Sequence, residues 1–521
     1  MFNRIDKNGS EITESAICGD FRTVSCQPIS PDSEDSGVFV IVTIGSQARI
    51  SPDHVAKPGT NEIADQIRER RHPRGLISLD TVLLHNPLIA GGWNSLLGAV
   101  RSHNSLPDDF RELLILRVAA LNSAPYEWAQ HEKVGRSAGL KTAELMRIRD
   151  IIKPLHLNDH SHSILSDLHL TGLEFTDNLT KGIQVKDSIY EKLKQNFIDL
   201  NIGEINQLIL DTTVTVSTYN MVSRVLVGLD VGDDRDLSVD LPGFDTRFLT
   251  LVMDDQIQIH VRYQVLDSKR PTLMFCNSLL TNLRMWDWIL PSLSTKYNLI
   301  CFDHRGHGKS GIPTTECTLD RLVKDVRTIV EQLGIETPLH GLIGVSQGGL
   351  TTLMSSIQDP DLFKHYIICD TQPCSPPNSR EVWDSRIKLA EESEDGFKRL
   401  SEATIQRWFP IESHLNQPDN PTSVSIQRMI EETDIQGFKA AASALYDYRI
   451  DEDRITCNDH HKLLLIAGQK DGILPDVLNA FSDRLIKAGK PVQFRSVPGA
   501  GHLPMVDQPL QFLNIIEPFL N

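Results

Sequence analysis

Ser346 lies in the run Gly341-Leu342-Ile343-Gly344-Val345-Ser346-Gln347-Gly348-Gly349, between an apolar stretch and a helical pattern. A serine framed by glycines in this way marks a nucleophile on a sharp strand-to-helix turn. The turn is so tight that Gly344 and Gly348, two residues to either side, have no room for a side chain, and the hydroxyl is lifted to where a base can reach it. Two later segments carry partners. Lys462-Leu463-Leu464-Leu465-Ile466-Ala467-Gly468 has the pattern of a buried strand and delivers Asp471 in the turn Gln469-Lys470-Asp471-Gly472. Val492 to Val497 reads as another strand, followed by the glycine-rich loop Pro498-Gly499-Ala500-Gly501-His502-Leu503-Pro504. Together these residues predict acyl transfer: His502 takes the serine proton and returns it to the leaving group, while Asp471 fixes the tautomer and stabilises the imidazolium.

The developing oxyanion needs two backbone N–H groups. Gln347, next after the nucleophile, supplies one. The strand-like Thr272-Leu273-Met274-Phe275-Cys276 runs into Asn277-Ser278-Leu279-Leu280, which makes Leu279 the second donor. Leu299 to Asp303 is a further strand, leading into Arg305-Gly306-His307-Gly308-Lys309-Ser310. That turn ends like a phosphate loop, but Asp303 stands where the leading glycine belongs, so it is read as a sharp connection beside the site.

Upstream of about residue 248 the pattern is helical. Asp108-Asp109 open an apolar helix interrupted by Arg111, Glu112 and Arg117, with acids suited to its N-terminus. A second helix has Pro125 in its first turn and Gly139 at its end, and carries Glu127 and His131 four residues apart, on one face. That pair either holds a carboxylate and an imidazole against a substrate or is an ordinary solvated pair. Arg117 is either a cation in that site or a buried partner of Glu112. At 521 residues the chain exceeds one ordinary core. Its expected division is an extension over 1–60, a helical domain over 61–240, and a second domain over 241–521 with a helical lid at about 371–460. Leu241-Pro242-Gly243-Phe244 forms the linker. Trp408, Phe409 and Tyr446 fall in the lid.

From about Phe248 onward the chain resembles the 3-oxoadipate enol-lactonase branch of the α/β-hydrolases. The likeness is carried by Asn277-Ser278-Leu279, Leu283-Arg284-Met285-Trp286-Asp287, Asp303-His304-Arg305-Gly306-His307-Gly308, Gly344 to Gly349 and Cys369-Asp370-Thr371. Leu280 departs from it, since a glycine is common there. The resemblance implies an α/β-hydrolase fold and a serine triad that opens an enol-lactone without a cofactor. Between about Asp65 and Val231, Arg111-Glu112-Leu113, Arg117-Val118-Ala119, Tyr126-Glu127-Trp128 with His131, and Tyr219-Asn220-Met221 with Arg224 resemble the carboxymuconolactone decarboxylase family. This implies an all-α domain of the alkylhydroperoxidase-like type, and a homo-oligomer, because helices of that family assemble into multimers. Thiol peroxidase chemistry is not expected, because the cysteine positions fall on Ala124 and Glu127.

Taken together, the two likenesses imply consecutive reactions on one small lactone. Decarboxylation of carboxymuconolactone would give an enol-lactone, and the triad would open it to 3-oxoadipate. Loss of carbon dioxide leaves electron density conjugated to the lactone carbonyl, so that site needs a cation and a carbon acid. Arg117 and His131 are the candidates, with Glu112 or Glu127 orienting them. The competing expectation is a serine hydrolase of another ester or lactone, with a non-catalytic, oligomerising helical domain.

A net charge of −17 argues against nucleic acid and anionic membranes as partners. It also requires local positive groups for an anionic lactone, with Arg117, Arg224 and Arg284 as candidates. The cysteines, at 18, 26, 276, 301, 317, 369, 374 and 457, show no metal spacing and fit a reducing interior. No metal is expected: Gly135 stands where the second histidine of a zinc helix would follow His131-Glu132, and His156, His160 and His162 read as a solvated cluster. With no signal or membrane-span pattern, the expected location is the cytoplasm.

Overall fold

A computed structural model describes residues 49–50, 57–155, 164–232, 238–417, 420–456 and 461–521. Cys18, Cys26, Cys457, the apolar stretch Val38 to Val42 and the histidines at 156, 160 and 162 lie outside these described residues.

The first half is helical: α1 (Glu62–Arg71), α2 (Ser78–Leu83), α3 (Pro87–Ser102), α4 (Asp108–Leu121), α5 (Pro125–Ser137), α6 (Thr142–Arg149), α7 (Asp167–Gly182), α8 (Asp187–Leu200) and α9 (Ile205–Leu229). A helix apolar on nearly every side belongs at the centre of a bundle. Accordingly α4 is buried from Phe110 to Ala120, among α5, α7 and α9. Asp108 and Asp109 sit in its first turn against the helix dipole. Pro125 opens α5, and Gly139, just past its end, takes a φ of +111°. Trp128, Phe110 and Tyr219 are fully buried in this core.

The second half is an eight-stranded sheet in the order β1-β2-β4-β3-β5-β6-β7-β8. Its strands are β1 (Asp245–Val252), β2 (Gln258–Val265), β3 (Thr272–Cys276), β4 (Asn298–Phe302), β5 (Leu339–Val345), β6 (Phe363–Cys369), β7 (Lys462–Gly468) and β8 (Gln493–Val497). β2 is antiparallel to both neighbours and the remaining pairs are parallel. Strands β3 and β4 are buried along their whole length, as continuous apolar runs between helical layers must be. Helices α10 (Leu290–Leu293), α11 (Leu319–Leu333), α12 (Gln347–Gln358), α17 (Leu474–Lys487), α18 (Pro504–Asp507) and α19 (Pro509–Leu520) accompany the sheet. Between β6 and β7 the chain leaves it to form α13 (Ser379–Glu391), α14 (Gly396–Trp408), α15 (Pro421–Glu431) and α16 (Ile435–Ser443). Because β3 to β8 run parallel, the turns that follow them open at one edge of the sheet, where ligands of open α/β sheets bind. No helix among the described residues is long and apolar enough to cross a membrane.

Candidate active site

Ser346 joins β5 to α12 with φ 57° and ψ −118°, a strained conformation for a residue with a side chain. The glycines around it are sterically required. A Cβ on Gly344 would lie 2.1 Å from the Gly348 carbonyl oxygen, and one on Gly348 would lie 2.1 Å from that of Cys276. Hydrogen bonds from the Ser346 amide to Cys369 O (2.9 Å) and from the Gly348 amide to Asn277 O (3.0 Å) lock the elbow to the neighbouring strands.

At the same sheet edge, the turn after β7 carries Asp471 and the loop after β8 carries His502, with His502 Nδ1 2.7 Å from Asp471 Oδ2. Gly468 and Gly501 pack so closely that a Cβ on the first would sit 1.9 Å from the carbonyl oxygen of the second. Trp408, the last residue of α14, accepts the His502 amide on its carbonyl at 2.7 Å. Its ring stacks on the imidazole with centroids 5.6 Å apart. Of the other two lid aromatics, Phe409 is packed in the core, whereas Tyr446 bonds Asp384 at 2.8 Å. Ser346 Oγ makes no hydrogen bond among the described residues.

The segment Asn277–Leu283 is held in place by the turn after β4. Neutral histidine nitrogens accept two of its amides: His304 Nε2 from Asn277 (3.2 Å) and His307 Nε2 from Leu280 (3.0 Å). Burial keeps both rings neutral, drawing His304 down to about 3 and His307 to about 4. Asp303 accepts the Leu283 and Lys309 amides at 2.7 and 2.9 Å. Burial raises its carboxyl to about 6, against the pull of those amides. Leu280 is forced to a φ of +67°, which accounts for the advantage of glycine there. The amides of Leu279 and Gln347 have no acceptor among the described residues, so both remain available to an oxyanion.

Asp370, directly after β6, is a buried acid that the sequence offered only as part of a motif. Its Oδ1 accepts the Gly468 amide at 2.7 Å. Burial first, then the adjacent Asp471 carboxylate, hold its own carboxyl well above the usual range.

In the helical half, Glu112, Glu127 and His131 come together on a cavity of about 180 Å³, which Arg101 and Arg111 also line. His131 Nδ1 lies 2.7 Å from Glu112 Oε2 and its Nε2 lies 3.2 Å from the Tyr219 hydroxyl, which accepts from Arg101 Nε at 2.6 Å. Burial lowers the His131 pKa despite Glu112, so the neutral ring donates to Glu112 and accepts from Tyr219. Ser223 donates to Glu127 Oε2 at 2.9 Å, while Glu127 Oε1 is buried without a hydrogen-bond partner. Burial pushes the Glu127 carboxyl well above its ordinary range.

Arg117 does not line this cavity. Its Nε and Nη2 grip Asp177 at 2.6 and 2.9 Å, and its Nη1 donates to the Ile148 and Asp150 carbonyls at 2.8 and 2.9 Å. The partner that the sequence offered, Glu112, is therefore replaced by Asp177, and the cations that line the cavity are Arg101 and Arg111, with Arg71 and Arg74. Neither pairing was legible, because Asp177 is 60 residues from Arg117 and Tyr219 is 118 residues from Arg101. Arg224 is also engaged within its own helix, on Asn220 O at 2.7 Å and Asn220 Oδ1 at 2.8 Å.

Residues 271–399 match the α/β hydrolase fold family, and residues 87–159 match the Carboxymuconolactone decarboxylase family. The chain is 29% identical over 251 residues to 3-oxoadipate enol-lactonase 2 of Acinetobacter baylyi, a match covering 48% of this chain and 88% of the relative. It is 30% identical over 250 residues to 3-oxoadipate enol-lactonase 1 of the same organism, with the same coverage of 48% and 88%. A crystal structure of a hydrolase from Pseudomonas aeruginosa PA01 aligns at 26% identity with a TM-score of 0.46, covering 53% of this chain and 98% of that one.

Proposed function

The chain belongs to the α/β-hydrolase family, fused behind a carboxymuconolactone decarboxylase family domain, and on that premise we propose that it decarboxylates carboxymuconolactone and then hydrolyses the resulting 3-oxoadipate enol-lactone. The observation that carries the hydrolytic half is the 2.7 Å bond between His502 Nδ1 and Asp471, at the sheet edge that also bears Ser346 on its elbow. His502 Nε2 takes the Ser346 proton as Oγ adds to the lactone carbonyl. The amides of Leu279 and Gln347 receive the oxyanion. Collapse breaks the ring C–O bond, His502 protonates the departing enol oxygen, and water activated by the same imidazole releases the acid.

For the decarboxylation, the cavity geometry supports different roles from those expected of its residues. His131 has both ring nitrogens engaged, by Glu112 and by Tyr219. Glu127 has an oxygen without a partner and a carboxyl that burial pushes well above its ordinary range, toward the protonated form an acid needs. Carbon dioxide leaves as its C–C bond electrons pass into the conjugated lactone carbonyl. Arg101 then stabilises the charged oxygen, and Glu127 delivers the proton to carbon. Glu112, His131 and Tyr219 hold Arg101 in position.

One experiment separates the steps. Given carboxymuconolactone, Ser346→Ala should release carbon dioxide at the wild-type rate and accumulate enol-lactone. Glu127→Gln should lower release by about 100-fold or more and still open added enol-lactone. If the wild-type protein releases no carbon dioxide from either isomer yet hydrolyses other lactones, the helical half is not a decarboxylase and only the hydrolase assignment stands.

A further inference from the structure

An anionic lactone approaching a chain of net charge −17 needs a local cation at the hydrolytic site. Of the three arginines expected to serve, Arg117 and Arg224 are engaged inside the helical half, and Arg284, in the short helical turn Leu283–Trp286, is engaged as well. The insert between β6 and β7 supplies two others. Arg407 lies in the last turn of α14, adjacent to Trp408, whose carbonyl and ring both contact His502. Arg386 lies on α13, which packs against α14, with its guanidinium carbon 4.5 Å from the Trp383 ring centroid. Arg407 is exposed to solvent and Arg386 is half-buried.

Neither guanidinium forms an ion pair with a carboxylate of the described residues. Crowding by surrounding atoms, then the charge of Arg386, lower Arg407 to about 10, and Asp471 alone among acids offsets this. Asp471 is already committed to His502. Arg386 is likewise lowered by burial, with no acid opposing it. Two cations without an acid of their own, on helices that pack together and one of them adjoining the residue that contacts His502, form a receptor for an anion. The planar fork of arginine suits a carboxylate in particular.

We propose that Arg386 and Arg407 form a carboxylate subsite for the Ser346 centre, so that its substrates are esters or lactones that also carry a free carboxylate. This rests on the hydrolytic reading above and defines the substrate class without requiring the decarboxylation. The carboxylate settles between the two guanidinium groups and turns the scissile carbonyl toward Ser346. Because that contact is present before and during attack, its loss should appear chiefly in KM.

The test compares para-nitrophenyl acetate with the mono-para-nitrophenyl ester of succinic acid, using the full-length protein. The quantity read is the ratio of kcat/KM for the charged ester to that for the neutral one. Arg386→Gln and Arg407→Gln should each lower this ratio by about tenfold, and the double variant by more. Arg407→Lys should restore part of it, since the charge remains and the fork is lost. Raising the salt to about 1 M should shrink the wild-type ratio. A ratio that stays within about twofold of wild type in the double variant overturns the subsite, as does an equal loss on both esters. If the wild-type enzyme prefers the charged ester but leaves 3-oxoadipate enol-lactone intact, the lactone assignment fails and the subsite stands. If Ser346→Ala hydrolyses both esters at the wild-type rate, the subsite falls together with the triad.

Discussion

Replacing Arg117 with leucine should unfold the helical half more readily without touching its chemistry. The side chain is 1% exposed and makes four hydrogen bonds, two to Asp177 and two to the Ile148 and Asp150 carbonyls. Removing one partner of a buried ion pair costs about 3–5 kcal/mol. Asp177 is 18% exposed and keeps Lys181 at 3.3 Å, so the loss belongs at the lower end, near about 3 kcal/mol. For a unit of this size that corresponds to a fall of roughly 6–12 °C in Tm. Adding Asp177→Leu removes the stranded carboxylate, so the double variant should cost less than the two single changes summed. The assay is thermal unfolding by circular dichroism, run beside carbon dioxide release well below the transition. Unchanged Tm with release reduced about 100-fold would return Arg117 to the catalytic role its sequence position suggests and refute the structural reading.

Gly348→Ala places a methyl 2.1 Å from the Cys276 carbonyl oxygen and 2.5 Å from that of Asn277. Ester hydrolysis should fall by about 100-fold while carbon dioxide release persists, and loss of both together would mean that the change disrupts folding rather than the elbow. Asp370→Asn tests the buried acid through pH. Its raised folded pKa means that the native protein keeps a proton the unfolded chain gives up, so stability is full below about 3.9 and falls as pH rises toward the folded value. Asparagine can accept the Gly468 amide without titrating, so denaturant midpoints measured between about pH 4 and 7 should decline less than in wild type, and parallel curves would refute the assignment.

What could be read from the sequence is what the backbone decides locally. The elbow admits one arrangement of Gly344, Ser346 and Gly348, and the apolar runs ahead of Asp471 and His502 are recovered as β7 and β8. The turn beginning at Asp303 was legible as a sharp connection, but its purpose was not. That His304 and His307 accept amides of the Asn277–Leu283 segment depends on β3 and β4 lying side by side, a pairing that periodicity cannot supply. The helical cavity follows the same rule: Glu127 and His131 share a helix face by spacing, whereas Arg101, Tyr219 and Ser223 arrive from distant helices. Charge pairing was the least legible feature. Arg117 had an acid five residues before it in Glu112, and the fold gave it Asp177 instead.

The same segment that Arg117 fixes also joins the two halves. Its guanidinium holds the carbonyls of Ile148 and Asp150, and the Asp150 carboxylate accepts from Ser292 Oγ at 2.9 Å in the hydrolase half. Next to it, Arg149 donates to the Val239 carbonyl ahead of β1, and Lys153 pairs with Glu517 of α19 at 2.7 Å. Asp150 and Ser292 are 3% and 1% exposed, so these contacts are buried and mutually satisfied rather than water-screened. A hinge at this junction would have to strand both groups together, which ties the two halves to each other more firmly than a bare linker would. The cavity residues and the triad share no hydrogen bond or ion pair among the described residues. The fusion therefore fixes the two halves beside each other, while the cavity and the Ser346 site are built from separate residues.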